Sequence, residues 1–267
     1  EEKVLNGESL LVEGIAGTGK TTFIRGIVER LRSLGKKVDV ISKTHVASSR
    51  AGGCTADHYV LRHVKHGTCT ADYIWIDEYT QIDCNVWVQL NKLTFTGVRW
   101  LLSGDPHQVP AIFSSYRGCP VADDAFQRSA LFHQMAGGNR LTLRECKRSD
   151  AELFDWFASL IAGGSRFQTP LVDVVEAAKR AFSFSGPAEH NLVISHAKRI
   201  QINQQLNRLA HSKQPAEACL FLKACPQKGQ LNAAQSMWIW PGLTLLACCQ
   251  SEKKGLRNGV MYTVQSW

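Results

Sequence analysis

The chain has 267 residues, of which 44% are hydrophobic and 20% are charged, a composition typical of a globular protein with one large or two smaller domains. No run approaches the roughly 20 consecutive apolar residues that cross a bilayer, and residues 1–4 show no secretion signal, so an intracellular location is expected. Lysine and arginine outnumber the acidic residues by 31 to 23, which favours a polyanionic partner such as nucleic acid, although many basic proteins bind none.

The nine cysteines are scattered and odd in number, so free thiols are expected. One local group loosely imitates the spacing of zinc ligands: Cys54, His58, His66 and Cys69, with His63 between them. Zinc binding is therefore an alternative interpretation of this segment.

The first part of the chain alternates between predicted strands and helices. Short apolar runs predict strands at residues 9–13, 37–42, 73–76, 98–103 and 140–143. Apolar residues three and four apart predict an amphipathic helix over residues 21–34, ended by Gly35. Trp75 and Trp100 lie in predicted strands and are expected to be buried. This order predicts an α/β fold with a mainly parallel sheet, helices on both faces, and ligands beyond the carboxyl ends of the strands.

A second unit is predicted after the break Gly163-Gly164-Ser165, which gives two expected domains, 1–160 and 161–267. Within the second, the pattern predicts a helix over residues 200–209 and strands at 191–195, 243–248 and 260–264.

Residues 14–21 read Gly-Ile-Ala-Gly-Thr-Gly-Lys-Thr, which fits the phosphate-loop pattern G-x-x-x-x-G-K-[ST]. The glycines let backbone N–H groups close around phosphate oxygens at a helix N-terminus. Lys20 is expected to reach the β and γ phosphates, and the Thr21 hydroxyl to bind Mg²⁺. A dinucleotide-binding fingerprint does not fit, because Thr22 stands where its last glycine would be. The predicted nucleotide contacts are Gly14, Ala16, Gly17, Thr18, Gly19, Lys20, Thr21 and Thr22.

Two further predicted strands end in polar residues that complement such a loop. Asp77 and Glu78 follow one of them, and they suit a magnesium ligand and a base that deprotonates water. Gln108 follows the next, within Gly-Asp-Pro-His-Gln, where it is suited to bond a γ-phosphate. An acid beside the metal acid favours hydrolysis over transfer to another substrate.

The order of these three segments resembles superfamily 1 helicases, and within them the RecD-like and PIF-type 1B branch. Other segments agree with this resemblance. Residues 43–47 are similar to motif Ia, and residues 53–58 to the Thr-x-x-His segment, with one residue inserted or a shifted register. Residues 143–148 are similar to the motif whose arginine contacts the γ-phosphate, and residues 191–203 and 241–264 to the second motor domain.

The resemblance implies two RecA-like domains, the second incomplete, that use ATP and Mg²⁺ to move along single-stranded nucleic acid. DNA rather than RNA, and a 5′-to-3′ direction, are implied by the branch. The implied catalytic residues are Lys20, Glu78, Gln108 and Arg148, with Thr21 and Asp77 as metal ligands. The implied nucleic-acid contacts are Thr44, His45, Thr55, His58 and Pro110, with Phe113 as a further base contact; for these residues, ordinary loop or core positions are the alternative.

The chain departs from the family in lacking a visible adenine-contacting glutamine in residues 1–9 and the motifs expected after Val264. Three other functions share some of these features. A guanine-nucleotide switch needs an aspartate where Thr94 stands, and a small-molecule kinase has no need of Glu78 and Gln108. A nucleic-acid-binding module with little or no ATPase activity is the remaining alternative.

Overall fold

The computed structural model describes residues 1–43, 53–111, 114–122, 125–162, 170–182, 191, 193, 195–225, 235–247, 251–257 and 259–267. The chain divides into two compact units, Glu1–Leu171 and Val172–Trp267. The break predicted at residues 163–165 lies outside the described residues. Within the described ranges, every helix is too short or too polar to traverse a lipid bilayer.

The first unit is built on a six-stranded parallel sheet. Its strands are β1 (Leu10–Gly14), β2 (Val38–Ser42), β3 (Cys54–Thr55), β4 (Tyr73–Asp77), β5 (Arg99–Gly104) and, after a small antiparallel hairpin of β6 (Ser115–Tyr116) and β7 (Cys119–Pro120), β8 (Arg140–Leu143). Their order across the sheet is β3-β2-β4-β5-β1-β8, with every pair parallel. The five predicted strands and the parallel sheet are confirmed.

The helices of this unit lie before, between and after the strands of the sheet. They are α1 (Glu2–Leu5), α2 (Lys20–Ser33), α3 (Ala56–Tyr59), α4 (Cys84–Asn91), α5 (Ala125–Arg128), α6 (Ala130–Met135) and α7 (Ala151–Ala162). A π-helical turn, Val60–Val64, extends α3, and 3-10 turns occur at Tyr79–Gln81 and Lys92–Thr96. The predicted helix over residues 21–34 is confirmed as α2.

Two hydrophobic clusters cover opposite faces of the sheet, because alternate residues of each strand point to opposite sides. Ile74 and Ile76 of β4 join a cluster rich in aromatic side chains, whereas Tyr73 and Trp75 join a mainly aliphatic cluster with α2. Trp75 and Trp100 are both buried, as predicted. Because the faces of the sheet are covered, the ends of its strands are the part that a ligand can reach. The carboxyl ends of β4, β5 and β1 are neighbours in the sheet.

The second unit contains helices α8 (Leu171–Ala181, whose first residue belongs to the first unit) and α9 (His196–His211) and two antiparallel strand pairs. The pairs are β9 (Leu220–Leu222) with β10 (Met237–Ile239), and β11 (Thr244–Leu246) with β12 (Met261–Thr263). The predicted helix and the last two predicted strands are confirmed. The strand predicted at 191–195 is wrong at its described residues, Asn191, Val193 and Ser195. Ser195 instead caps α9, because its Oγ accepts a 3.2 Å hydrogen bond from the backbone N–H of Lys198.

Candidate active site

The loop between β1 and α2 carries the predicted phosphate-binding segment. Gly17 and Gly19 have φ angles of +92° and +88°, a left-handed conformation that other residues adopt only at a cost. Thr18 is buried, and its hydroxyl donates a 2.9 Å hydrogen bond to the carbonyl oxygen of Ile15. These features fix the curvature of the loop, which leads directly into the N-terminus of α2.

Lys20, the first residue of α2, is buried against this loop. Its Nζ donates hydrogen bonds to the carbonyl oxygens of Gly14, at 2.7 Å, and Ile15, at 3.2 Å. The ammonium group therefore lies across the loop, where a bound phosphate would meet it.

Thr21 and Asp77 meet although they lie on different elements, the start of α2 and the end of β4. The Thr21 hydroxyl is 3.2 Å from Oδ2 and 3.5 Å from Oδ1 of Asp77. Burial raises the pKa of Asp77, whereas hydrogen bonds from the Ser103 and Thr21 hydroxyls and the charge of Lys20 lower it. A hydroxyl beside a carboxylate suits Mg²⁺, which takes few protein oxygens and completes its shell with phosphate and water.

Glu78 follows Asp77 in an unusual backbone conformation. Its φ of +54° lies in the left-handed region, and its Oε2 is buried with no hydrogen-bond partner among the described residues. Burial and the charge of Asp77 raise the pKa of Glu78, whereas Lys20 and Arg148 lower it. A buried carboxylate with a raised pKa and a free oxygen is suited to accept a proton.

Gln108 lies beyond the end of β5 and is held by Asp105. The Asp105 carboxylate is buried and accepts hydrogen bonds from the backbone N–H of His107, at 2.9 Å, and from Nε2 of Gln108, at 3.4 Å. Gln108 itself is half-buried, so its amide is accessible at the same sheet edge as Asp77.

The segment after β8 packs against the phosphate loop. The backbone N–H of Lys147 donates a 2.8 Å hydrogen bond to the carbonyl oxygen of Gly17, and a Cβ placed on Gly17 would lie 3.2 Å from Cβ of Arg148. The side chain of Arg148 is exposed, and its charge acts on Glu78. Lys20 and Arg148 thus lie close enough to Glu78 for their charges to act on it, and Gln108 lies beyond the end of the neighbouring strand β5.

The implied nucleic-acid contacts are only partly described. Thr44, His45 and Phe113 lie outside the described residues. Thr55 is half-buried at the end of β3, where it pairs with Ser42 of β2, and His58 is exposed on α3. Pro110 is half-buried beyond β5. Thr55 is therefore separated from Asp77 by one strand, because the sheet order is β3-β2-β4.

The possible zinc ligands do not converge. All five of these residues are described, and no three of them approach closely enough to hold a metal ion. Cys69 instead lies with its Sγ 3.2 Å from the hydroxyl of Tyr59.

Two polar groups at this edge were not anticipated from the sequence. Ser103 donates a 2.7 Å hydrogen bond to Asp77, and Glu13 accepts a 2.6 Å hydrogen bond from the hydroxyl of Tyr79. The available signal was a polar residue near the end of an otherwise apolar strand, which is true of both Glu13 and Ser103.

Comparison with known proteins agrees with this geometry. Residues 2–120 match the AAA domain family. The ATP-dependent DNA helicase PIF3 of Trypanosoma brucei brucei is 43% identical over 144 residues, covering 46% of this chain and 18% of that protein. The ATP-dependent DNA helicase PIF1 of Candida albicans is 27% identical over 140 residues, covering 42% of this chain and 15% of that protein. The chain thus spans less than a fifth of the length of these relatives.

Solved structures resemble almost the whole chain. The Pif1 helicase of Candida albicans has a TM-score of 0.64 at 19% identity, covering 99% of this chain and 67% of that one. Bacteroides Pif1 bound to single-stranded DNA has a TM-score of 0.65 at 16% identity, with coverages of 99% and 67%. At these identities the likeness concerns the fold.

Proposed function

We propose that this chain is a Pif1-like superfamily 1 helicase that hydrolyses ATP and couples hydrolysis to movement along single-stranded DNA. The observation that carries the proposal is the 3.2 Å contact between the Thr21 hydroxyl and Asp77, beside Lys20 and a buried oxygen of Glu78 that has no hydrogen-bond partner in the described part of the chain. The groups proposed to bind phosphate, bind the metal ion and accept the proton therefore lie at the same edge of the sheet, where the carboxyl ends of the strands are.

Each side chain has a proposed role in the reaction. Lys20 exchanges its carbonyl partners for oxygens of the β and γ phosphates, and Arg148 offsets charge that develops on the γ-phosphate. Glu78 orients the attacking water and accepts its proton at the carboxylate. Gln108 bonds the γ-phosphate and responds to its loss. Thr21 and Asp77 are suited to hold Mg²⁺, which, when bound, neutralises charge on the phosphate oxygens.

Single-stranded DNA is the proposed partner, and the net charge of +8 favours a polyanion. The relatives similar to this chain bear the name ATP-dependent DNA helicase. The proposed strand contacts are Thr44, His45, Thr55, His58 and Pro110. We also propose that residues 1–160 and 161–267 are two RecA-like domains and that movement is 5′-to-3′.

Steady-state ATPase assays with and without single-stranded DNA or RNA test the proposal. ATP turnover should rise several-fold with the strand, and Glu78→Gln should reduce it by at least ~100-fold, the scale of a lost general base, while nucleotide still binds. Turnover by Glu78→Gln equal to that of the parent chain would refute the assignment of Glu78. Strand binding that is indifferent to ATP, without hydrolysis, would instead indicate a nucleic-acid-binding module.

A further inference from the structure

Tyr79 lies directly after Glu78 and joins it to another strand. The side chain is fully buried, and its hydroxyl donates a 2.6 Å hydrogen bond to Oε1 of Glu13. Glu13 is in β1, immediately before the first glycine of the phosphate loop. A single side chain thus connects the turn that carries the acid to the strand that carries the phosphate loop, across 66 residues of sequence.

The ring of Tyr79 reaches Glu13 by crossing the end of β5. Glu13 and Gly104 are paired in the register of β1 and β5. A Cβ on Gly104 would lie only 2.5 Å from Cδ1 of Tyr79, so the ring fills the space that any larger residue would need. On another side the ring lies 4.8 Å from that of Phe132, measured between centroids. The path of the ring is therefore fixed by packing as well as by its hydroxyl.

The backbone of Glu78 needs such support. A left-handed conformation is unfavourable for a residue with a Cβ and persists when the surrounding structure determines it. One restraint is the 3.0 Å hydrogen bond from the backbone N–H of Gln81 to the carbonyl oxygen of Glu78. The anchored side chain of Tyr79 is a further restraint, because it fixes the residue that follows.

We propose that Tyr79 is a positioning residue for Glu78, and that its hydrogen bond to Glu13 ties the Glu78 carboxylate to the strand of the phosphate loop. The catalytic part of this inference rests on the proposed function, since it takes Glu78 as the proton acceptor. Removal of the hydroxyl alone should loosen the turn and misplace the carboxylate, while the phosphate loop keeps its own contacts.

The chain offers a closely matched control. Tyr59 is also buried, and its hydroxyl donates a 2.7 Å hydrogen bond to a carboxylate on a neighbouring strand, Oδ2 of Asp39. Tyr59→Phe and Tyr79→Phe therefore remove the same chemical group from two places. Tyr79→Phe should lower kcat for ATP about 10-fold, as misplacement of a reacting group does, with KM for ATP unchanged within about twofold. Tyr59→Phe should leave both constants at the parent values.

Two substitutions of Glu13 distinguish the effect of its hydrogen bond with Tyr79 from the effect of its negative charge. Glu13→Gln keeps an oxygen that accepts the hydrogen bond from Tyr79, so kcat should stay close to the parent value. Glu13→Leu removes the acceptor and should reproduce the kcat loss of Tyr79→Phe. An equal loss in Glu13→Gln and Glu13→Leu would contradict a positioning role for the bond.

Amide hydrogen exchange tests the positioning without any need for turnover. In Tyr79→Phe, peptides that cover residues 77–81 should exchange faster than in the parent chain, and in Tyr59→Phe they should not. Unchanged exchange in these peptides for Tyr79→Phe would overturn the inference. If the parent chain and Glu78→Gln had equal ATPase rates, the proposed function would fail, yet the exchange result would still decide whether Tyr79 holds the turn.

Discussion

The hydroxyl of Ser103 donates a 2.7 Å hydrogen bond to Oδ1 of Asp77, across the paired ends of β5 and β4. Oγ of Ser103 in turn accepts a 2.8 Å hydrogen bond from Nε1 of Trp75. All three side chains are buried. Ser103 therefore links a core tryptophan to the proposed metal ligand, and its bond opposes the rise in the pKa of Asp77 that burial causes.

Replacement of this hydroxyl should destabilise the fold. In Ser103→Ala, both the Trp75 N–H and the Asp77 carboxylate lose a partner, which should lower the free energy of unfolding by about 1–3 kcal/mol. Urea denaturation followed by circular dichroism measures this change. Ser33→Ala is the control, because its hydroxyl bonds the carbonyl oxygen of Arg30 on an exposed helix end. Equal midpoints for the two variants would show that the buried bonds contribute nothing.

Replacement of glycine by alanine should have opposite effects on the stability of the fold at two positions. At Gly104 the added methyl group collides with the Tyr79 ring, so Gly104→Ala should lower stability by about 1–3 kcal/mol, as overpacking does. Gly26 lies within α2 with nothing near its Cβ position, so Gly26→Ala should raise stability by roughly 0.5–1 kcal/mol. Thermal unfolding of both variants checks the signs. A stabilised Gly104→Ala would contradict the described packing of Tyr79.

Glu78 should make stability depend on pH. Its pKa is raised by burial and by Asp77, so the folded state binds this proton more tightly than the unfolded state does. The resulting stabilisation is complete below the ordinary glutamate range and is lost as the pH rises through the folded-state pKa. Glu78→Gln should therefore raise Tm relative to the parent chain at pH 8, and the gain should shrink towards pH 4.

Thermal melts across this range measure the effect. Glu29→Gln, at an exposed position of α2, serves as the control for loss of a surface carboxylate, and its Tm should stay close to that of the parent chain. A gain that stayed constant with pH would show that ionisation of Glu78 is not its source.

Lys20 should govern affinity for nucleotide rather than the fold. Lys20→Ala removes the ammonium group from the loop and should weaken ATP binding at least about 10-fold, since charge-assisted bonds to phosphate are among the strong ones. Titration with a fluorescent ATP analogue measures this, and circular dichroism should match that of the parent chain. Lys36→Ala, an exposed lysine beyond α2, should bind like the parent chain. Equal affinities for Lys20→Ala and Lys36→Ala would remove the loop from the proposed site.

Local patterns in the sequence predicted most of this architecture. Apolar runs predicted the five longer strands, of which β1, β2, β4 and β5 are mostly buried in the sheet. The loop of residues 14–21 was predicted because its glycines, lysine and threonine are contiguous in the sequence. Ser195 misled the prediction, because a serine that ends an apolar run is equally suited to cap the next helix. The two-residue strand β3 is too short to produce a periodic pattern.

The interactions that were missed depend on register between distant strands. The pairing of Ser103 with Asp77 requires β5 to lie beside β4, and that of Tyr79 with Glu13 requires a ring that crosses β5 to β1. A short window of sequence shows that Ser103 and Glu13 are polar residues in apolar strands, but it does not show which residue each of them bonds. The position of Asp77 and Glu78 at a strand end was foreseeable because both follow an apolar run, whereas the left-handed backbone of Glu78 was not.

The two carbonyl contacts of Lys20 have an energetic consequence for ligand capture. The Lys20 side chain is already ordered before an anion binds, so binding costs little side-chain rotamer entropy. The anion must instead replace the two neutral carbonyl oxygens that already accept hydrogen bonds from the ammonium group. Binding is therefore favourable only if the anion's hydrogen bonds to Lys20 are stronger than those two, which sets an enthalpic threshold. Weakly charged oxyanions should fall below that threshold, and a polyphosphate should exceed it.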